Sequence, residues 1–289
     1  MWTDYAPQRF DAQGVTASAT SGTTIPNGAA AHVKSATWTT VGTPTFDAMG
    51  FWLHFNANPN SGSFLVDVGF GASPVAPFAV ENLLLEKFPG ASMGCDLYIP
   101  VPVPVGVPVR LRYQATSGSA GTTISASITF VGATHDAPPL SSLVRCHGAD
   151  VATSLGTNVP GPTATAHTYG TTTTLQLIRS GEGIAAQNTT VEPYKAIFVA
   201  FGTLGSSVRQ GARHQFNLHI TPPGEAIGIV LADFFSVTDT AAGDLLSWQL
   251  SPIIPLYVPT GSVISMSHKS SALAVGGTID MDACVYGIV

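Results

Sequence analysis

Apolar and polar residues alternate with period two along much of the chain, and helical periodicity is scarce. Over residues 107–113, Val109, Leu111 and Tyr113 fall on one face, with Arg110 and Arg112 on the other. Further on, Ile124, Ala126, Ile128 and Phe130 point inward and Ser125, Ser127 and Thr129 outward. The Gly-bearing segment GSAGTT between these runs predicts a hairpin connection. The run IPVPVPVGVP (99–108) lacks several backbone donors, so it is expected as an edge strand or an extended rim segment. Residues 81–88 (ENLLLEKF) suit either two helical turns or, through Leu83, Leu84 and Leu85, a buried strand. Many short strands with frequent turn signals predict an all-β chain of jelly-roll-like sandwiches.

The pattern occurs twice. Residues 99–132 align without a gap to residues 254–287, at an offset of 155 and with nine of 34 positions identical, among them Gly132 and Gly287. Upstream, FWLHF (51–55) answers FNLHI (216–220) at an offset of 165. Two blocks in the same order predict a tandem duplication. The expected modules are residues 1–134 and 135–289, with 135–165 partly linker because that stretch is rich in Pro, Gly, Ser and Thr. In the second copy Ile264, Met266 and His268 keep the inner face. Its last strand turns Ile279, Met281, Ala283 and Val285 inward and Asp280 and Asp282 outward.

Charge changes the picture more than hydrophobicity does. The apolar fraction of 45% is enough for a core, but only 10% of residues are charged, against an ordinary ~25%. A folded monomer of this mass exposes about 11,600 Å², so charges are sparse and part of the surface is expected to lie against other protein. A net charge of −6 argues against nucleic acid. No apolar run is long enough to cross a membrane, and the opening residues do not read as a signal peptide.

Catalytic and metal chemistry finds little support in spacing. Cys95, Cys146 and Cys284 are far apart and odd in number, which excludes a disulfide framework and a CxxC metal site. Cys146 and His147 are adjacent in the expected linker, with no second ligand pair. His54 and His219 read as core or semi-buried histidines kept by duplication. The acid pairs Glu81/Glu86, Asp239/Asp244 and Asp280/Asp282 are no closer than chance gives, and no GxSxG elbow occurs. The chain is therefore expected to be no enzyme, with no cofactor and no metal. Arg110 and Arg112 in one copy and Asp280 and Asp282 in the other read as solvated faces or as complementary contacts, within a chain or between chains. Trp52, Phe70, Phe78, Phe88, Trp248 and Tyr257 are candidate sugar platforms, without an assigned site.

The segment VDVGFGASPVAPFAVENLLL (66–85), followed by YIPVPVPVGVPVRLRYQATSGSAGTTISASITFVG, resembles small virion proteins of tailed bacteriophages and phage-derived gene transfer agents. That family shows a D-x-G-x-G turn after a strand, a paired-Leu segment, I-P-x-P-x-P-x-G leading into an Arg-bearing strand, and a closing Gly hairpin. The likeness covers most of 15–133 and, more weakly, 165–289. The second copy departs from it, with ADFFSV (232–237) in place of VDVGFG and without the two arginines. The resemblance implies β-sandwich modules in a head spike, head fibre or tail fibre, able to contact host surface polysaccharide. The expected partners are copies of the chain itself, as trimer or pentamer, and other virion proteins. The expected location is the particle surface, after synthesis in the bacterial cytoplasm.

Overall fold

An alternating strand has one apolar face, which only a second layer can cover. The computed structural model stacks the strands accordingly. It describes residues 9–14, 22–57, 63–75, 78–85, 95–116, 124–132, 143–162, 165–178, 186–203, 212–226, 228–238, 250–272 and 280–289. The first nine strands are β1 (Arg9–Gln13), β2 (Thr23–Ile25), β3 (Thr39–Gly42), β4 (Gly50–Ala57), β5 (Phe64–Phe70), β6 (Val80–Leu85), β7 (Cys95–Ile99), β8 (Val109–Ala115) and β9 (Ile124–Gly132). One sheet runs β1-β9-β4-β7, with β2 also on β9, and it faces the strands β6-β5-β8-β3. Phe51, Leu53, Ile128 and Phe130 meet Phe64, Val66, Leu111 and Tyr113 in a core without solvent access.

Nine further strands follow: β10 (Val144–His147), β11 (Ala149–Asp150), β12 (Leu155–Pro160), β13 (Thr173–Thr174), β14 (Ala196–Thr203), β15 (Arg213–Thr221), β16 (Ile229–Thr238), β17 (Val263–Ser270) and β18 (Asp280–Ile288). Strands β10 and β12 lie along one edge of β18 and β14 along the other. Residues 250–258 bridge onto β14 at Leu250 and Ile254, and onto Tyr194 just before it at Val258. The opposing sheet is β13-β17-β15-β16. Neighbours therefore correspond strand for strand: β1 with β10, β2 with β12, β3 with β13, β4 with β14, β5 with β15, β6 with β16, β8 with β17 and β9 with β18. Each half is a two-sheet sandwich of jelly-roll type, as the alternation predicts.

Two alignments read from sequence are corrected by these neighbours. FWLHF lies in β4, whose counterpart is β14, whereas FNLHI lies in β15, the counterpart of β5. Likewise ADFFSV lies in β16 and answers β6, so the residues that answer VDVGFG begin at Phe216. Aromatic-rich alternating strands look alike in sequence because only their inner face is constrained. The offset of 155, by contrast, holds through β8 and β17: Asp67 opposes Arg112, and Asn217 opposes Ser267. The retained glycines have a steric cause. A Cβ on Gly132 would stand 2.4 Å from the Phe46 ring, and one on Gly287 2.2 Å from the Tyr194 ring.

One local device is built twice. The β5–β6 register slips between Val66 and Val68, and the β15–β16 register between Phe216 and Leu218. At each slip a residue takes a positive φ, Asn82 at 51° and Asp233 at 52°, which Asn and Asp tolerate better than other side-chain-bearing residues. The Asn82 amide donates to Asp67 Oδ1 at 3.0 Å and the Asp233 amide to Asn217 Oδ1 at 2.8 Å, so each bulge is tied to the strand beside it.

The two sandwiches are fused. Strand β10 pairs antiparallel with β18 and parallel with β6 through Val144 and Val80, and the Val144 amide donates to the Ala79 carbonyl at 2.8 Å. A nine-stranded sheet thus runs through both halves. Strand β18 is buried on both faces: Met281, Ala283 and Val285 enter the second core, while Cys284, Tyr286 and Ile288 enter the first. Tyr286 Oη donates to the Asn82 carbonyl at 2.9 Å and accepts from the Leu84 amide at 2.7 Å, with its ring stacked on Phe198 at 4.7 Å. Tyr286→Phe removes both bonds, leaving the buried Leu84 amide in want of its partner and the Asn82 carbonyl with only the weak Cys146 thiol donor. A loss of about 1–3 kcal/mol is expected in urea unfolding, and a change below about 0.5 kcal/mol would show that water replaces the hydroxyl.

Candidate functional site

The outer face of the β4–β7 pair carries the polar and aromatic residues that alternation turns away from the core. Trp52 opposes Tyr98 and His54 opposes Asp96. The Trp52 and Tyr98 rings lie 5.3 Å apart, and Trp52 is 38% exposed. Across from them, Phe234 and Phe235 of β16 and residues 250–253 form a second wall, leaving a groove of about 690 Å³ between the sandwiches. Its lining is mainly apolar, with Asp96, Ser236 and Ser251 as polar points.

Beside the groove, Thr129 Oγ1 lies 3.1 Å from His54 Nε2, and His54 Nδ1 lies 2.8 Å from Asp96 Oδ1. A hydroxyl, an imidazole and a carboxylate in that order can pass a proton along the row. Here the Asp96 and His54 side chains are 56% and 36% exposed, so water competes for the charge that such a relay needs to concentrate. A row of hydrogen-bonding groups next to an aromatic wall instead suits a ligand with both hydroxyls and apolar faces. His54 is thus the semi-buried of the two alternatives read from sequence, on the outer face and not in the core. Its supposed mate His219 stands on β15 with a different partner, Ser267 Oγ at 3.1 Å.

The expected surface charges have been drawn inward. Arg112 is bound at 2.9 Å to Asp67, which also accepts from Lys34 at 2.8 Å. The guanidinium sits 4.7 Å from both the Trp38 and Phe78 rings, a cation–π clasp. Burial alone would raise the Asp67 carboxyl, but Lys34, Arg112 and the Asn82 amide outweigh it and hold it below the usual carboxylate range. Burial draws the Lys34 ammonium down despite its partner. Arg110 lies on the same face opposite Gly69, half-buried. A second node joins Arg145 to Glu192 and, at 3.6 Å, to Glu81, with Arg145 and Glu81 buried.

The outward placement of the second-copy acids is corrected: Asp282 is 1% exposed, because the face of β18 that sequence assigns to solvent is covered. Asp280 pairs through its backbone with Pro160, and its side chain lies outside the described residues. Within one chain, Arg110 and Arg112 on β8 are separated from Asp282 on β18 by β5, β6 and β10, about 19 Å at ordinary strand spacing. The complementary contact read from sequence therefore does not form inside the chain. The linker placement of Cys146 and His147 is corrected too, since both are buried in β10. In the D-x-G-x-G segment, Asp67 and Gly69 belong to β5 and only Gly71, at φ 84°, lies in the turn.

Two buried histidine sites escaped the sequence reading. His147 Nδ1 donates to the Leu175 carbonyl at 3.3 Å, and Nε2 accepts from Tyr194 Oη at 2.8 Å. His214 Nδ1 and His268 Nε2 are 2.9 Å apart, with the His268 ring stacked on Phe216. Burial pushes His147 down to about 4, and burial together with His214 pushes His268 down to about 3. Only the inward parity of His268 in its strand signalled this.

No protein-family model and no curated protein matches the chain. Among solved structures it is similar to PNGase F, a glycosylasparaginase from Flavobacterium meningosepticum, at 10% identity and a TM-score of 0.36, over 98% of this chain and 96% of that one. It is also similar to recombinant N-glycanase F, at 10% identity and a TM-score of 0.34, over 96% and 95% of the chains. A viral major capsid protein, the STIV MCP, aligns at 12% identity and a TM-score of 0.33, over 98% and 95%. The expectation that the chain is no enzyme is corrected by this finding: two of these three end-to-end neighbours are structures of an N-glycanase. Likenesses at such scores carry no residue, substrate or activity over to this chain.

Proposed function

We propose that the chain is a structural component of a tailed-phage or gene-transfer-agent particle, placed in a head spike or fibre and assembled from copies of itself. The observation that carries this reading is the inward placement of scarce charge. Asp67, Glu81, Arg145 and Asp282 are buried, and Lys34 and Arg112 nearly so. An outer surface this poor in charge is kept soluble less by repulsion than by contact with other protein. The resemblance of residues 15–133 to phage virion proteins supports the same reading, and jelly-roll sandwiches serve in viral capsid and lectin domains. Immunogold labelling of particles from lysates of the source cells tests it. Gold at capsid vertices is the expected result, and gold at the tail tip moves the chain to a tail fibre. Abundant soluble antigen with unlabelled particles would overturn the reading.

The groove favours a second role for the same chain, contact with a host surface polysaccharide. Trp52 and Tyr98 offer ring faces, and His54, Asp96 and Thr129 offer hydrogen bonds beside them. Trp52→Ala is expected to weaken binding on a glycan array at least tenfold while leaving the melting temperature within about 2 °C, as befits a side chain on the outer face. Unchanged binding would remove the groove from the role.

A further inference from the structure

We propose that copies of the chain join by strand addition, the open edge of β16 in one copy receiving β1 of the next in parallel, as β6 receives β10 within the chain. The proposal rests on the self-assembling reading above and names its interface. The chain already makes this contact once. Strand β6 is wholly buried, with β5 on one side and β10 on the other. Its counterpart β16 pairs with β15, and among the described residues no strand lies along its other edge. Ile229, Val230 and Phe234 on β16 are 45%, 45% and 55% exposed. A ten-residue edge strand with bare apolar side chains and no proline is a ready template for another strand.

The incoming strand shows the complementary asymmetry. Strand β10 is buried throughout, between β18 and β6, whereas its counterpart β1 pairs with β9 and leaves Phe10 60% exposed. Gly132 opposes Arg9 in the β1–β9 ladder and Gly287 opposes Arg145 in the β10–β18 ladder. Aligned on that repeated glycine, Arg9 takes the place of Arg145 and Phe10 that of Cys146. Cys146 Sγ lies 3.6 Å from the carbonyl of Asn82, the left-handed residue of the β6 bulge. The matching residue on β16 is Asp233, next to Phe234. Repeating the internal contact between copies therefore sets Phe10 of one copy against Asp233 and Phe234 of the next and covers both exposed rings. The contact is head-to-tail, so copies close into a ring where the rotation allows.

Cross-linking of the full-length chain tests this. Phe10→Cys and Phe234→Cys chains, differently tagged, are co-expressed, oxidised and run without reductant. A covalent dimer carrying both tags, absent when either variant is expressed alone, is the expected result. Equal cross-linking within a single variant would overturn the head-to-tail geometry. No cross-link, while native mass spectrometry of the unaltered chain shows oligomers, would overturn the strand addition and leave self-assembly standing. Monomers at every concentration would overturn both. As a second check, Phe234→Lys is expected to shift the oligomer to monomer with an unchanged far-ultraviolet spectrum. Persistence of the oligomer counts against the proposal.

Discussion

Asp67→Ala is expected to cost about 3–5 kcal/mol of folding stability, the range for breaking a buried ion pair by removing one partner. Asp67 has no solvent access and accepts from Lys34, Arg112 and the Asn82 amide. Its loss strands two nearly buried cations and unties the bulge that sets β6 against β5. The consequence reaches β10 as well, because β6 is where the second sandwich joins the first. Thermal melting should fall by on the order of 10 °C for a chain of this size. A drop under about 2 °C would mean that water enters and solvates Lys34 and Arg112. A variant with Asp67, Lys34 and Arg112 all replaced by apolar residues of similar volume should recover much of the loss, because the uncompensated charges then disappear.

Acidification is expected to unfold the chain over a window set by its buried histidines. His147 and His268 are held neutral in the fold, with values near 4 and 3, while an unfolded histidine titrates near 6.5. Between those limits the unfolded chain binds more protons than the folded one, so stability rises with pH. The histidine contribution is therefore complete above about pH 6.5 and is lost as pH falls toward 4 and then 3. Each unit of difference is worth about 1.4 kcal/mol, which makes the summed loss several kcal/mol by pH 4. Asp67 adds to it at the lower end: its depressed carboxyl stabilises the fold above the ordinary carboxylate range, and that stability goes as pH drops through the folded value. Urea midpoints at pH 7, 6, 5 and 4 measure the slope. His147→Gln and His268→Gln, though less stable at pH 7, should flatten it between pH 6.5 and 4. An unflattened slope would locate the acid sensitivity in the carboxylates instead.

Much of the fold was legible in the chain itself. Period two in residues 107–113 and 124–130 placed Leu111, Tyr113, Ile128 and Phe130 in the core because a pleated strand leaves no choice once one face is apolar. The proline run was legible for the same local reason: with several donors missing, residues 99–108 suit an edge or rim. Beyond the end of β7 at Ile99 the run pairs only at the isolated Ala48–Val103 bridge among the described residues. Duplication was legible where glycine is forced by a ring above it, at Gly132 and Gly287, and misread where only hydrophobic parity guided the match, at FWLHF and FNLHI. The candidate site was not legible as a site. Trp52 stood among several aromatics, and nothing in sequence joins it to Phe234 or to residues 250–253.

Local sterics and side-chain alternation thus made the all-β class, the inner faces of β8, β9, β17 and β18 and the presence of two related sandwiches readable from the chain, but not β6, left open between helix and strand, nor β10, read as linker. Which outer faces meet water depends instead on how distant segments pack. Alternation gives β18 an inner and an outer face, but the parallel pairing of β10 with β6 brings the first sandwich onto that outer face. Cys284 and Tyr286 are thereby buried in the first core, with Tyr286 bonded to β6, while Asp282 on the same face is closed off beside residues 149–158. Arg112 likewise left the surface because a carboxylate forty-five positions earlier in the chain lies opposite it. A strand's partners are chosen by contacts between distant segments, so their consequences for charge and exposure are absent from the local pattern.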